Sequence, residues 1–299
     1  MITVKVPATS ANMGPGFDCI GVALALYNMV SVEETDSGLI IDIEDETKDY
    51  LPTDSKNLVY RSMQTLFNMV GYKCRGLHII QRNEIPVTRG LGSSSASIVG
   101  GLFAANEICK AGFSRGDLIS VAANLEGHPD NTTPAITGGM AVAAIDKEKT
   151  YYQKIAIDGS KLKFAVFVPD FILRTKKARN VLPQTIPHSD GVFNTARAAL
   201  LTASLITGNY DNLKTAFNDK LHQQYRKHLI KGIDSVFDAA EGFGALGTYI
   251  SGAGPAIISL IEAKDEESFS DRAKGFLSQE LKGWDLLVLK PDNNGALII

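Results

Sequence analysis

The stretch "GLGSSSASIVGG", residues 90–101, places glycines and serines directly in front of a run of apolar residues. It follows "GLHIIQRNEIPV", which predicts a strand, and leads into "SIVGGLFAANEICKAG", which predicts a helix ending at Gly112. Glycines let a backbone approach an anion closely, and the first turn of a helix has unpaired N–H groups that bind anions. The stretch is therefore either a nest for a phosphate or a glycine turn followed by a serine helix cap.

The bulk composition limits the class of protein. The chain has 299 residues, 44% hydrophobic and 21% charged, and this length predicts one large domain or two of ordinary size. A net charge of −3 argues against broad attraction to nucleic acid or anionic membranes. The start resembles no signal peptide, the apolar runs are too short to cross a bilayer, and the three cysteines fit neither a disulfide framework nor a zinc site. We therefore expect a cytoplasmic protein with no nucleic-acid or membrane partner.

Hydrophobic periodicity predicts mostly strands early in the chain and helices afterwards. Strands are predicted at "ITVKVPA", "VALALYNMVSVEE", "GLIIDIEDE" and "GGMAVAAI", and the helix "NLVYRSMQTLFNMVG" ends at Gly71. The helix that follows residue 95 is expected to carry its apolar residues, from Ile98 to Ile108, on one side. Ser114 and Asp117 form a capping box that opens a further helix.

A second mixed pattern begins near residues 150–160. A buried strand is predicted at "FAVFVPDFIL", helices at "GVFNTARAALLTASLITG", "NLKTAFNDKLHQQYRKHLI" and "ESFSDRAKGFLSQEL", and a closing strand at "WDLLVLKP". The segment "GTYISGAGPAIISLI" predicts a strand, a glycine turn and another strand. The sequence therefore predicts an α+β protein in two halves.

Three further segments carry residues suited to chemistry. "PATSANMGPGFDCIG" (7–21) is either an irregular loop or part of a site, and "SGAGPA" (251–256) alone is an ordinary glycine turn. "EGHPDN" (126–131) either binds a metal or a polar substrate, or is a solvated helix cap with a turn before Pro134. Because three glycine-rich loops each follow a predicted strand, together they predict one convergent site.

These segments, in this order, resemble the three motifs of the GHMP kinase family: "PATSANMGPGFDCIG", "PVTRGLGSSSAS" and "SGAGPA". Within the family, "HPDN", "PDFILRTKKARNVLP" and "LHQQYR" are similar to the homoserine kinase branch. The resemblance implies a two-domain GHMP kinase fold. Its N-terminal domain, 1–156, would be ribosomal-protein-like with a left-handed βαβ crossover, and its C-terminal domain, 157–299, would be ferredoxin-like. A left-handed crossover is rare and could not be inferred from the residues themselves.

The resemblance also implies an activity. ATP, with Mg²⁺, would phosphorylate the hydroxyl of L-homoserine to give O-phospho-L-homoserine, a step toward threonine. The alternatives are another GHMP kinase acting on a mevalonate-like or sugar substrate, or a non-catalytic GHMP-fold regulator of a partner protein. A homodimer is plausible for the family, although no residue in the sequence identifies an interface.

The ATP site follows from the same resemblance. The backbone of Gly90–Ser95 would cradle the triphosphate, with Ser94 and Glu126 as Mg²⁺ ligands. Asn57 would lie beside the adenine, although it equally suits a helix N-cap. Arg89 would add a positive charge near the phosphates or face solvent. The residues expected to bind ATP are Asn57, Pro86, Val87, Thr88, Arg89, Gly90, Leu91, Gly92, Ser93, Ser94, Ser95, Gly252 and Gly254.

The amino-acid substrate would need acceptors for its ammonium and a cation for its carboxylate. Asp18 suits the ammonium, and Arg179 and Arg226 suit the carboxylate because a guanidinium binds it with two hydrogen bonds. Each arginine could instead form a surface ion pair, and His128 could be a buried structural histidine. The substrate-binding residues implied by the resemblance are Asn12, Asp18, His128, Thr175, Arg179 and Arg226.

The general base is the least defined part of the expected site. The residues expected to take part in catalysis are Asn131, Asp130 and Ser94. Asn131 cannot accept a proton, so it would orient the hydroxyl, and catalysis would rest on positioning and electrostatics. Asp130 as general base is the alternative.

Overall fold

Two β-sheets organise the chain, and the computed structural model describes all residues from 1 to 299. In chain order the strands are β1 (Ile2–Ala11), β2 (Ile20–Glu34), β3 (Gly38–Ile43), β4 (Gly76–Asn83), β5 (Met140–Asp146), β6 (Lys149–Ile155), β7 (Leu162–Pro169), β8 (Gly247–Ile250), β9 (Ile257–Glu262), β10 (Trp284–Leu289) and β11 (Leu297–Ile298). The α-helices are α1 (Leu58–Val70), α2 (Ser93–Cys109), α3 (Arg115–Glu126), α4 (Pro129–Thr137), α5 (Thr175–Asn180), α6 (His188–Thr207), α7 (Leu213–Ala216), α8 (Gln223–Arg226), α9 (Ile233–Gly242) and α10 (Glu266–Glu280). Three short 3₁₀ turns cover Glu46–Asp49, Lys227–Leu229 and Ala263–Asp265.

The first sheet has seven strands, ordered β11-β1-β2-β4-β3, with β5 also paired to β2 and β6 paired to β5. Strands β3 and β4 are parallel and joined through α1, whereas the other pairs are antiparallel. Helix α2 packs against β1, β2 and α1. A Cβ on Gly101 would lie 2.5 Å from the carbonyl oxygen of Val59, so glycine is needed where α2 meets α1.

The second sheet has four antiparallel strands in the order β10-β7-β9-β8. In chain order it is a strand, helices, two strands, helix α10 and a last strand, which is the ferredoxin-like arrangement. Every residue of β7 is buried because helices cover both faces of the sheet. The expected α+β fold with a ferredoxin-like second half is confirmed.

The last residues of the chain return from the second sheet to the first. Strand β11 pairs with β1, and the Ala296 N–H donates to the Ala135 carbonyl (2.8 Å). Arg115 donates to the carbonyls of Ile136 (2.7 Å) and Ala296 (2.9 Å). The end of α4 is therefore held by a segment that begins in the other half of the protein.

The structure corrects three local predictions. The turn expected before Pro134 is helix α4, which begins with Pro129 and carries Pro134 inside it. The helix expected at "NLKTAFNDKLHQQYRKHLI" is broken into α7 and α8, because the Asp219 carboxylate accepts from three backbone N–H groups that would otherwise continue one helix. The apolar residues of α2 do not form one side, since the helix is buried all round from Ser95 to Ala105.

Candidate active site

A cleft of about 250 Å³ lies between the two halves, at the start of α2. Every residue that the sequence assigned to a site lines this cleft. They are Asn12, Asp18, Asn57, Pro86, Val87, Thr88, Arg89, Gly90, Leu91, Gly92, Ser93, Ser94, Ser95, Glu126, His128, Asp130, Asn131, Thr175, Arg179, Arg226, Gly252 and Gly254. The predicted convergence of distant segments on one site is therefore what the fold produces.

The glycine-serine stretch forms the start of α2 and leaves its first turn open. Gly92 adopts a left-handed conformation (φ 73°), and a Cβ there would lie 2.0 Å from the Thr9 hydroxyl, so no other residue fits. No side chain caps the helix, and the first helical hydrogen bond runs from the Ala96 N–H to the Gly92 carbonyl. The N–H groups of the first turn thus face the cleft as donors for an anion.

Serine hydroxyls and one carboxylate stand beside this open turn. The Ser94 hydroxyl donates to Glu126 Oε2 at 3.3 Å, and the Ser95 hydroxyl is buried without a hydrogen-bond partner. Burial raises the pKa of Glu126, an effect that the nearby His128 and the Ser94 hydroxyl partly oppose. A poorly solvated carboxylate next to a hydroxyl is an oxygen donor set of the kind that Mg²⁺ prefers, so these residues fit that ion.

A second acidic group lies where α4 begins. His128 donates from Nδ1 to Asp130 Oδ1 at 2.6 Å, and Asp18, His128 and Asp130 bring ligand atoms within 4.8 Å of one another. Burial alone would lower the pKa of His128, but the Asp130 carboxylate, aided by Glu126 and Asp18, raises it above its usual value. This corner of the cleft therefore favours a positive charge.

The first glycine loop is joined to the second half of the protein by an ion pair. Arg179 donates to both carboxylate oxygens of Asp18, at 3.0 and 2.7 Å, and the pair is about one third exposed. The Asn12 side chain accepts from the Asp18 N–H (3.0 Å) and donates to the Gly252 carbonyl (2.7 Å). Asp18 raises the pKa of Arg179, so this guanidinium stays charged.

Arg226 is a buried cation that forms no salt bridge. It is 1% exposed and donates to the carbonyls of Gly252 (2.8 Å) and Ala178 (3.3 Å) and to His222 Nδ1 (3.1 Å). Burial, together with the positive charge of Arg179, lowers the pKa of Arg226 to about 10, which leaves it protonated at neutral pH. A buried charge without a counter-ion is costly, so the site is suited to an anionic ligand.

The amide of Asn131 is oriented by Thr9. The Thr9 hydroxyl donates to Asn131 Oδ1 at 2.8 Å, which leaves the Asn131 Nδ2 group as a donor on the wall of the cleft. Asp130, next to it, is 1% exposed and bonded to His128. Thr9 was not singled out from the sequence, although it belongs to the quoted first loop.

Two side chains expected near ATP are engaged within the protein. Asn57 is the N-cap of α1, as one of the two interpretations expected, and its amide is fully hydrogen-bonded. Arg89 donates to the carbonyls of Pro169 (2.9 Å), Asp170 (2.6 Å) and Val87 (3.3 Å), so its guanidinium ties the loop to the end of β7. Arg89 thus lines the cleft with its guanidinium bonded to backbone carbonyls, contacts that the sequence did not predict.

The third glycine loop, residues 251–256, supports the glycine-serine stretch Gly90–Ser95 from the other half of the protein. The Ser251 hydroxyl donates to the Gly90 carbonyl (2.6 Å), and the Ala256 N–H donates to the Arg89 carbonyl (3.0 Å). A Cβ on Gly90 would lie 2.4 Å from the Ser251 carbonyl oxygen. This supporting role of Ser251 could not be predicted from the sequence, because it depends on contacts across 161 residues.

Comparison with known proteins places the chain in a family. Residues 57–139 match the model of the GHMP kinases N terminal domain, and residues 196–279 match that of the GHMP kinases C terminal. The homoserine kinase of Caldicellulosiruptor saccharolyticus is 50% identical over 100% of this chain and 96% of its own length. That of Clostridium botulinum (strain Alaska E43) is 47% identical over 100% of this chain and 99% of its own. The chain belongs to the homoserine kinase family of GHMP kinases.

Solved structures agree with this membership. The crystal structure of homoserine kinase from Cytophaga hutchinsonii superposes with a TM-score of 0.90 at 29% identity, covering 100% of this chain and 97% of that one. As a GHMP kinase, the chain is an ATP-dependent small-molecule kinase. None of the helices combines the length and the apolar character that a membrane span requires.

Proposed function

We propose that this protein transfers the γ-phosphoryl group of ATP to the hydroxyl of L-homoserine, giving ADP and O-phospho-L-homoserine. The observation that carries the proposal is Arg226, a buried cation without a counter-ion, in the same cleft as an acidic corner and an open helix start. A zwitterionic amino acid would supply a carboxylate for Arg226 and an ammonium for the acidic corner, whose carboxylates already bond to Arg179 and His128. Full-length relatives named homoserine kinase support the assignment.

The triphosphate would lie on the first turn of α2, against the backbone from Gly90 to Ser95. The N–H groups there have no competing cap, and the helix dipole favours negative charge. Pro86–Arg89, Asn57, Gly252 and Gly254 would form the remaining walls of the ATP site. The Arg89 guanidinium would act through the loop that it fixes, because its bonds run to backbone carbonyls.

Ser94 and Glu126 would hold Mg²⁺. Bound between them, the ion would neutralise charge on the phosphate oxygens. The chain's own contribution is to keep the hydroxyl and carboxylate within 3.3 Å of each other, at the end of the nest. Burial disfavours the charged form of Glu126, so a cation bound beside it would stabilise the carboxylate.

The substrate would be oriented by its two charges. Asp18, with His128 and Asp130 near it, would accept hydrogen bonds from the ammonium, and Arg226 with Arg179 would bind the carboxylate. Asn12 fixes the Asp18 backbone, and Thr175 at the start of α5 completes the pocket. The hydroxyl would then point toward the phosphates, which is the orientation that phosphoryl transfer requires.

Catalysis would rest on positioning and electrostatics rather than on a strong base. Asn131 would donate from Nδ2 to the hydroxyl oxygen or the transferred phosphoryl group, since its oxygen is occupied by Thr9. Asp130 as general base is the alternative, because Asp130 and Asn131 both line the cleft. One Asp130 oxygen already accepts a hydrogen bond from His128, so we favour catalysis by the positioning role of Asn131 over Asp130 as general base.

Three broader expectations stay predictions. We place the domain division at 156/157, with the tail that carries β11 returning to the first domain. A homodimer and a cytoplasmic location are expected from the sequence. Light scattering coupled to size-exclusion chromatography tests the homodimer.

A coupled ADP-release assay tests the proposed function. We expect turnover with L-homoserine and none above background with mevalonate or galactose. Turnover with mevalonate or galactose would instead establish the mevalonate- or sugar-type alternative. ATP binding without turnover on any of the three would favour a non-catalytic regulator.

A further inference from the structure

Gln81 is a polar residue on the inward face of β4. Leu77, Ile79 and Gln81 alternate along the strand and are all buried, so the position is one where an apolar residue is expected. Gln81 is 1% exposed, yet it lines the cleft. A buried carboxamide at such a position is costly unless each of its polar atoms finds a partner.

Asn57 determines which atom of Gln81 faces the cleft. Asn57 Oδ1 accepts from the N–H groups of Val59 (2.9 Å) and Tyr60 (3.4 Å). Its Nδ2 group donates to the Pro52 carbonyl (2.8 Å) and to Gln81 Oε1 (2.7 Å). Turning the Gln81 amide over would set two donor groups against each other. Gln81 Oε1 is therefore fixed on Asn57, and Gln81 Nε2 has no hydrogen-bond partner within the protein.

The position of this amide relative to the phosphate nest suits the base of a nucleotide. Helices α1 and α2 pack against each other, and both begin at the cleft, α1 at Asn57 and α2 at Gly92. Packed helices lie about 8–10 Å apart. A nucleotide with its triphosphate at the start of α2 can therefore reach the start of α1 with its ribose and base.

We propose that Gln81 is a nucleotide-binding residue that donates a hydrogen bond from Nε2 to a ring nitrogen of the adenine of ATP. Asn57 is the positioning residue that holds the Gln81 amide in this orientation. The assignment rests on the proposed function in one respect, that the triphosphate occupies the start of α2. It also explains why Asn57 lines the cleft although its own amide has no free donor.

Equilibrium binding of ATP in the absence of homoserine tests this assignment. Gln81→Met removes the donor with little change in volume, and we expect it to weaken ATP binding about threefold to tenfold, the effect of one neutral hydrogen bond. Gln81→Glu keeps an oxygen for Asn57 but turns the cleft-facing donor into an acceptor. We expect it to weaken ATP binding more than Gln81→Met does. Arg82→Met, on the exposed face of the same strand, is the matched control and should leave binding unchanged.

Deaza analogues of ATP separate a direct hydrogen bond from an indirect effect on Asn57. Of 1-deaza-, 3-deaza- and 7-deaza-ATP, the one that lacks the accepting nitrogen should bind equally well to the wild type and to Gln81→Met. The assignment is overturned if both Gln81 variants bind ATP like the wild type. It is also overturned if Gln81→Met weakens all three analogues by the same factor as ATP. A wild-type protein that binds no ATP would instead refute the proposed function itself.

Discussion

Replacing Arg226 by methionine tests how the cleft recognises a carboxylate. The substitution keeps a long unbranched side chain and removes a guanidinium that is 1% exposed and has no acidic partner within salt-bridge distance. In the wild type this group is charged at neutral pH, because its pKa stays at about 10 despite burial and the neighbouring Arg179. If the substrate carboxylate supplies the missing counter-ion, Arg226→Met removes the main interaction that holds it.

The expected effect on homoserine binding is large, and the effect on stability is small. A hydrogen bond to a charged group contributes about 1.5–3 kcal/mol, so losing it should raise the KM for homoserine roughly 10- to 100-fold. In the free protein, the Ala178 carbonyl and His222 Nδ1 lose a donor, whereas the Gly252 carbonyl still accepts from Asn12 (2.7 Å). These losses are opposed by removal of a buried unpaired charge, whose desolvation costs several kcal/mol.

Steady-state kinetics with each substrate varied in turn measure the prediction. Arg226→Met should raise the KM for homoserine while the KM for ATP stays within about threefold of the wild type. Arg226→Lys keeps the charge but loses the planar fork, so its KM should fall between those of the other two proteins. An unchanged KM for homoserine, or an equal rise in the KM for ATP, would refute the assignment of Arg226 to the substrate carboxylate.

Three further substitutions test separate features. Ser94→Ala should lower kcat at least about tenfold and raise the Mg²⁺ concentration needed for half-maximal rate, and an unchanged rate would contradict the metal role. Asp130→Asn should keep turnover within about tenfold, whereas a loss of 100-fold or more would identify Asp130 as the general base. The Asp42 carboxylate, with Glu33, raises the pKa of His78, so His78 stabilises the fold below about pH 6.5 and less as the pH rises through its raised pKa. Urea unfolding should therefore show His78→Asn destabilised at about pH 5.5 and close to wild type at about pH 9.

The parts of the site that depend on local conformation could be predicted from the sequence. Gly92 has a left-handed backbone and no serine caps α2, so the open helix start matches one of the two interpretations that residues 90–101 allowed. The role of Asn57 as the N-cap of α1 likewise depends only on neighbouring residues. The ferredoxin-like order of the second half also agrees with the alternation of strands and helices along the chain.

Features that depend on distant contacts could not be predicted from the residues alone. Asp219 interrupts the helix expected around it because its carboxylate accepts backbone N–H groups, and the Asn194 side chain, 25 residues away, also donates to it. Thr9 orients Asn131 across 122 residues of sequence. Arg89 reaches carbonyls at the end of β7. In each case a polar side chain is satisfied by a partner that only the completed fold brings near.

The electrostatics of the cleft come from helix starts more than from net charge. The chain is acidic overall, at −3, yet α1, α2 and α4 all begin on the cleft wall, at Asn57, Gly92 and His128. Each start presents a partial positive charge, which falls off within about one turn. An anion is therefore favoured at these helix starts although the chain is acidic overall. Of these three helices, only α2 has neither a side-chain cap nor a proline in its first turn, so its N–H groups are the ones that would be free to bind the phosphates of ATP.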